Sequence, residues 1–266
     1  VSLNLFDRPS LLFLPASNPR AIDKARDSDA DLVILDLEDA VGNADKAMAR
    51  EAAVTAVATP WPMPVAIRIN GTHSEWYAAD VAAVTGSKAD VVVLPWVEDP
   101  DEIERLIAVE RPVMATIESA AGVLAAQAIA RPAAALIVGT NDLAADLGLP
   151  AGAGRGPLQA ALQMTLLAAR AGQAAAFDGV YNRLDDSEGF AAECAESRWL
   201  GFDGKSLIHP DQIAPCHAAF APSAEEIARA ERLIAAASGG AERFEGAMVE
   251  AMHVEAARRL IERNRL

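Results

Sequence analysis

Three observations in this sequence predict an α/β fold, a (β/α)8 barrel with extra C-terminal helices. Eight short apolar runs recur, Ala-rich stretches of amphipathic spacing lie between them, and 266 residues suit one such barrel. The runs are LLFLP (11–15), DLVILDLE (31–38), PVAIRIN (64–70), ADVVVLP (89–95), PVMATIE (112–118), AALIVG (134–139), QAAAFDG (173–179) and RWLGFDG (198–204). They are nearly continuously apolar rather than alternating, as parallel strands covered on both faces must be. Helices are expected between them, for example over 19–27, 46–58, 99–110, 122–130, 158–171 and 187–197. After the eighth run, HPDQI (209–213) opens another helix, and 223–237 and 244–264 read as two more around SGGAERFEG (238–246). The expected organisation is a catalytic barrel over 1–220 and a helical extension over 221–266 that caps the barrel or reaches a neighbouring subunit.

Composition narrows the function. The hydrophobic fraction of 52% and charged fraction of 23% are those of a packed protein. The longest apolar runs fall well short of the roughly 20 residues that span a bilayer. Residues 1–8 carry no basic region leading into an apolar core, so a cytoplasmic protein is expected. Against 38 Asp and Glu stand 23 Lys and Arg, a net charge of −15 that disfavours nucleic acid as a partner. A small anionic ligand then requires a local basic cluster. Cys194 and Cys216 form neither a CxxC motif nor a Cys/His ligand cluster and read as reduced thiols.

Barrel active sites lie at the carboxyl ends of the strands, so the residues closing each run are the ones that matter. They are Asp36, Glu38 and Asp39 after the second run; Arg68 and Asn70 after the third; Glu118 and Ser119 after the fifth; Asn141 and Asp142 after the sixth; Asp178 after the seventh; Asp203 and Lys205 after the eighth. Carboxylates converging on one mouth repel one another unless a cation or arginine sits among them. Oxygen donors without Cys or His point to Mg²⁺, with Mn²⁺ as the alternative. Glu118 and Asp142, from adjacent strands, can each offer one oxygen and leave the other positions to water and substrate. Such an open site polarises a carbonyl and stabilises an enolate. Arg68 supplies a planar fork for a carboxylate or oxyanion. The competing reading is that each acid merely caps the following helix.

Other motifs are weaker. GAGRG (152–156) follows DLGLP rather than a strand and reads as a loop, not a phosphate cradle. His209 precedes Pro210 at a helix start and reads as structural. His73, His217 and His253 have no partner that can be named from sequence.

Taken together, SLLFLPASNPRAIDKA (10–25), ADLVILDLEDAVGNADKAMAR (30–50), IRIN (67–70), VVLPWVED (92–99), IESAAGV (117–123), VGTNDLAADLG (138–148), FDGVY (177–181) and GFDGKSLIHPDQI (201–213) carry a resemblance that spans nearly the whole chain. The sequence resembles the citrate lyase β-subunit-like branch of the HpcH/HpaI aldolase superfamily. The resemblance implies a Mg²⁺-dependent carbon–carbon lyase acting on a 3-hydroxyacyl thioester of coenzyme A, such as citryl-CoA or malyl-CoA. The products are acetyl-CoA and a keto acid, oxaloacetate or glyoxylate, or the reaction runs in reverse. By that resemblance Glu118 and Asp142 are the metal ligands, Arg68 and Glu38 hold the keto acid, and Asp36 and Asp39 orient metal-bound waters. Arg20 and Lys24 resemble the family's contacts to the CoA phosphates, the alternative being a solvated helix face. The family's proton donor is an aspartate in a C-terminal segment reading roughly M-I-D-x-P and contributed by a neighbouring subunit, which implies a homo-oligomer such as a trimer. Here the matching stretch is MVEAM (248–252), with Glu250 for the aspartate and Met252 for the proline. Trp96 stands where many relatives carry lysine, and Ala16 replaces a common glycine.

Alternative functions stay open at this level. They are a citrate lyase β subunit using an acyl-carrier-protein thioester, an aldolase acting on a free keto acid, and a catalytically impaired binding or scaffold subunit.

Overall fold

The computed structural model describes residues 3–263. Eight parallel strands close in sequence order: β1 (Ser10–Pro15), β2 (Leu32–Asp36), β3 (Val65–Arg68), β4 (Val91–Leu94), β5 (Val113–Ile117), β6 (Ala135–Val138), β7 (Ala175–Asp178) and β8 (Gly204–Leu207). Strand β8 returns to β1 in the register Ser10↔Lys205 to Leu12↔Leu207, so no strand edge is left unpaired. Around the barrel run α1 (Pro19–Arg26), α2 (Lys46–Ala58), α3 (Tyr77–Thr85), α4 (Pro100–Glu104), α5 (Ala120–Ile129), α6 (Thr140–Asp146), α7 (Gln159–Gly172), α8 (Ser187–Leu200) and α9 (Ile213–Phe220). Among the described residues, no helix is long and apolar enough to cross a membrane.

The strands are apolar throughout because each is covered twice. One set of alternate side chains, including Leu11, Ile34, Val93, Met114, Ile137 and Phe177, fills the barrel interior. The other set packs beneath the helices, so every residue of β2, β4, β5 and β6 is buried. Several helix starts follow from sequence chemistry: the side chains of Asn18, Asp99, Ser119 and Asp186 each accept a backbone N–H of the first turn.

The eighth strand is displaced from its expected place. Arg198 to Leu200 complete α8, and Gly201 (φ 107°) ends that helix in the left-handed region, where glycine is at ease. The strand therefore begins at Gly204, whose absent side chain allows close approach to the Pro9 backbone. Asp203, expected at the mouth, lies at the opposite, amino-terminal end, where its carboxylate accepts from Ala176 N–H (2.9 Å) and Arg170 (2.8 Å).

The chain divides into two compact units that meet in sequence at Ala219 and Phe220. The second contains α10 (Ala224–Ala236), β9 (Glu242–Phe244), β10 (Ala247–Val249) and α11 (Ala251–Arg263). Its own small core joins Ala230, Leu233, Val249 and Ala257. The helix expected from 244 starts at Ala251 instead, because 242–249 form an antiparallel hairpin. Glu245 (φ 47°) and Gly246 (φ 86°) make its turn, and Arg229 and Arg232 hold the Glu245 carboxylate at 3.2 and 2.8 Å.

At the amino-terminal end of the barrel, α9 is tied to the first two strands. His217 Nε2 lies 2.9 Å from Asp31 Oδ2 and 2.8 Å from Ser10 Oγ, and Ser10 Oγ donates to the same carboxylate oxygen at 2.7 Å. The hydrogen bond to Asp31 raises the His217 pKa, against an opposing effect of burial. Burial alone pushes Asp31 up, but the bonds from His217 and Ser10 together outweigh it and hold its pKa below the usual value. The pair is partly exposed, so its contribution is on the order of 1 kcal/mol. A raised histidine stabilises fully below its unfolded pKa, about 6.5, and ceases to as pH rises through the folded value. A depressed aspartate stabilises above its unfolded pKa, about 3.9, and ceases to as pH falls through the folded value. The stability difference between the parent and His217→Asn should thus be largest between about pH 4 and 6.5 and shrink on both sides, as urea unfolding across pH will show.

Candidate active site

The carboxyl ends of the strands enclose a cavity of about 410 Å³. Its lining includes Phe13, Asp36, Asp39, Arg68, Thr116, Glu118, Gly139, Asn141, Asp142, Asn182 and Ser206. Arg68, Glu118 and Asp142, separated by dozens of residues in the chain, thus meet in one space.

The register of β2 on β3 makes Asp36 and Arg68 direct cross-strand neighbours. Arg68 Nε and Nη2 donate to the two Asp36 oxygens at 2.6 and 2.7 Å, and Nη1 lies 2.9 Å from Glu38 Oε2. The guanidinium carbon also stands 5.2 Å from the Phe13 ring centroid. Burial opposes the charge on Arg68, but Asp36 and then Glu38 more than compensate and raise its pKa. Asp36 is buried, and its oxygens also accept from Glu38 N–H and Ala40 N–H at 2.9 Å each. Burial works against its ionised form, yet Arg68 dominates and lowers its pKa. With both oxygens so committed, Asp36 anchors Arg68 rather than presenting a free carboxylate to water.

Glu118 follows β5 directly and is 1% exposed. Its Oε1 accepts the Trp96 backbone N–H at 2.6 Å. Trp96 has φ 55°, an uncommon conformation for so bulky a residue, and that conformation accompanies the N–H aimed at Glu118. On the other side lies Gly139, where a Cβ would stand 2.3 Å from Glu118 Oε2. Asp142 sits half-buried in the first turn of α6, three residues beyond Gly139.

Charge is out of balance in this cavity. Burial, then repulsion from Asp39, Asp36 and Asp142, drives the Glu38 pKa up to about 7 in spite of Arg68. Burial and the neighbouring Glu38 and Asp142 drive Glu118 up to about 8 in spite of Trp96 N–H and Arg68. Burial and Asp39 raise Asp142 as well. One arginine faces more acids than it can neutralise. Among the described residues, no group of three or more His, Cys, Asp or Glu forms a metal cage. Two carboxylates beside an open cavity nonetheless suit a hard cation that keeps several waters or substrate oxygens, the habit of Mg²⁺ rather than Zn²⁺.

The other expected residues fall elsewhere. Asp39 is exposed at the cavity rim. Glu38 lines an adjoining cavity of about 430 Å³ with Lys46, Asn70, His73 and Trp96. Asn70 serves the scaffold: it donates to Asp80 (2.6 Å) and accepts from buried Lys46, which also binds the carbonyls of Leu37 and Glu38. Asp178 and Lys205 are fully buried and lie outside the cavity lining. They pair at 2.9 Å and are joined by Arg155 (2.8 Å to Asp178), Glu193 and Ser197, so the 152–156 loop is anchored by its arginine. His209 caps the turn after β8, accepting from Asp211 N–H at 3.2 Å. Arg20 and Lys24 are exposed on α1, four residues apart. Glu250 is exposed in the second unit, just before α11, and its N–H donates to His253 Nδ1 at 3.0 Å.

Several lining residues are not marked in the sequence, among them Asn182, Phe13, Thr116 and Ser206. Asn182 follows β7 and exchanges amide hydrogen bonds with Asn141 at 2.7 and 3.4 Å. Phe13 and Thr116 lie within strands, where an apolar run hides which residues face inward. Ser206 is masked by the displaced eighth strand.

Together the barrel, the paired carboxylates at its carboxyl end and the arginine beside them define an α/β-barrel protein built for cation-assisted chemistry on a small oxyanionic substrate. The HpcH/HpaI aldolase/citrate lyase family pattern matches residues 9–210, and the chain belongs to that family. It is 40% identical to a (3S)-malyl-CoA thioesterase of Cereibacter sphaeroides, over 95% of this chain and 93% of that one. It is 37% identical to the citrate lyase subunit beta of Leuconostoc mesenteroides subsp. cremoris, over 86% and 82%. The structure of CitE from Mycobacterium tuberculosis in complex with magnesium, acetoacetate and coenzyme A superposes with a TM-score of 0.88 at 35% identity, covering 97% and 98% of the two chains.

Gly139→Ala tests the geometry. The new Cβ would stand 2.5 Å from the Glu118 Cβ as well as 2.3 Å from its Oε2, so the whole Glu118 side chain must shift, and misplacement of about 1 Å in such a site costs on the order of 100-fold in rate. The variant should stay folded by circular dichroism while divalent-cation affinity, read by calorimetry, falls at least about tenfold.

Proposed function

We propose that this protein is a Mg²⁺-dependent carbon–carbon lyase that cleaves a 3-hydroxyacyl-CoA of the malyl-CoA or citryl-CoA type to acetyl-CoA and a keto acid, or forms it in reverse. The observation that carries the reading is the Glu118–Asp142 carboxylate pair sharing one cavity with Arg68. The magnesium and coenzyme A bound by CitE of Mycobacterium tuberculosis support it.

Glu118 and Asp142 would hold Mg²⁺, which supplies a Lewis acid for the developing negative charge when bound. Arg68, kept charged and oriented by Asp36, binds the keto-acid carboxylate through its remaining N–H groups. Glu38, poised near neutrality beside Arg68, can hold or release a proton at physiological pH. Cleavage moves the hydroxyl proton to a base, breaks the carbon–carbon bond to leave a new carbonyl, and leaves a thioester enolate whose carbon takes up a proton. Glu250 of a neighbouring copy is the proposed donor, which requires a homo-oligomer. Arg20 and Lys24 are the proposed contacts to the CoA phosphates, a positive pair on a molecule of net charge −15. The absence of a membrane-crossing helix among the described residues suits a cytoplasmic enzyme.

The name of the Cereibacter sphaeroides relative favours a second reading, hydrolysis of malyl-CoA by water to malate and free CoA. Product analysis separates the two: acetyl-CoA plus glyoxylate marks the lyase, malate plus CoA the thioesterase. Calorimetry with Mg²⁺ and then acetyl-CoA and a keto acid should show both binding events, and the double variant Glu118→Gln/Asp142→Asn should lose the first. Unchanged Mg²⁺ binding in that variant would sink the assignment. Replacing Glu250 with Gln should slow turnover at least about tenfold with KM for the thioester little changed.

The raised carboxylates make cation binding proton-linked. Because Mg²⁺ favours ionised Glu118, it must displace a proton below about pH 8, so affinity should rise by up to about tenfold per pH unit between pH 6 and 7 and level off above 8. Titrations in two buffers of different ionisation enthalpy will reveal the released proton.

A further inference from the structure

Two hydroxyls at the bottom of the cavity have no hydrogen-bond partner. Thr116 Oγ1 on β5 and Ser206 Oγ on β8 are buried polar atoms left unpaired, in residues only 3% and 2% exposed. Both residues line the cavity that holds Arg68, Glu118 and Asp142. Thr165 on α7, the other such hydroxyl among the described residues, lines no part of it.

Their depth follows from strand geometry. Thr116 precedes Glu118 by two residues, so the two side chains share the inward face with Thr116 one layer deeper. Ser206 likewise lies two residues before Ile208, which lines the same cavity. Phe13 and Ile137 line the same cavity, and both pack into or against the interior core. A hydroxyl can donate one hydrogen bond and accept two, and one buried without a partner is unfavourable. Both hydroxyls face the cavity, where a bound molecule can complete their hydrogen bonds.

A 2-keto acid has three parts: a carboxylate, a carbonyl and a substituent. Arg68 and the Glu118–Asp142 pair account for the first two, which leaves the substituent to the floor. We infer that Thr116 and Ser206 form a polar subsite for the keto-acid half of the substrate, selecting a substituent that carries oxygen, as a hydroxymethyl or carboxymethyl group does. This inference rests on the lyase reading above. It deepens that reading by naming the class of keto acid, one larger and more polar than glyoxylate or pyruvate. A substrate that brings only hydrogen or methyl leaves both hydroxyls unpaired, and a site of this kind discriminates against such analogues.

The test is calorimetric titration of the full-length Mg²⁺-loaded protein with glyoxylate, pyruvate, hydroxypyruvate and oxaloacetate. At least one of the oxygen-bearing acids should bind about tenfold or more tightly than pyruvate and glyoxylate. In Thr116→Val/Ser206→Ala the preference should fall to about threefold or less, with the melting temperature unchanged or raised because two unpaired buried hydroxyls are gone. Thr116→Ser, which keeps the hydroxyl, should retain the preference. Tighter or equal binding of glyoxylate and pyruvate overturns the subsite, as does a preference that survives the double variant. A double variant that melts many degrees lower would show the hydroxyls to be structural and overturn it too. Failure of every keto acid to bind while Mg²⁺ binds overturns the lyase reading with it, whereas equal binding of all four removes the subsite alone.

Discussion

The ion pair between Asp36 and Arg68 governs the chemistry of this barrel mouth. It is buried, bidentate and placed across adjacent strands by the β2–β3 register. Buried pairs of this kind need their remaining hydrogen bonds satisfied, and Asp36 achieves that with two backbone N–H groups. Having neutralised Asp36, Arg68 has only a partial influence on Glu38, Glu118 and Asp142. Their pKa values are therefore raised, and the cavity favours a cation that would restore balance.

Other buried charges hold the rim in place without entering the chemistry. Lys46 gathers the carbonyls of Leu37 and Glu38 with the Asn70 amide, so the loops after β2 and β3 are tied to α2. Asp178 collects Lys205, Arg155 and Ser197, which fastens β7 to β8, α8 and the 152–156 loop. From sequence, Asp178 and Lys205 resemble mouth residues because they stand beside apolar runs. The structure turns them outward between barrel and helices, where each is the other's counter-charge. A charged residue near a strand end is thus a site residue only if it occupies the inward alternation, and a continuously apolar run does not show which alternation that is.

The barrel was legible because eight β-rich runs separated by helical stretches leave few alternatives. Glu118, Asp142 and Arg68 were legible because they follow or close such runs. Strand β8 was not: RWL looks like the start of a strand but completes α8 with Trp199 exposed, and only the left-handed Gly201 shows where the helix stops. Displacing that strand hid Ser206 and gave Asp203 a place at the mouth that it does not have. The hairpin at 242–249 was equally hidden, since its strands are short and its turn uses Glu245 and Gly246 in place of a stronger turn signal.

Local sequence specifies the parallel barrel and the chemical character of its mouth, acids around one arginine. Periodicity and strand-end position are local properties, readable a few residues at a time. Tertiary structure alone decided that Asp36 serves Arg68, that Trp96 and Gly139 set the Glu118 carboxylate, and that Thr116 and Ser206 share a floor. Those relations join residues far apart in the chain, and they depend on strand register, on the left-handed backbone at Trp96 and on the space that a missing Cβ leaves at Gly139.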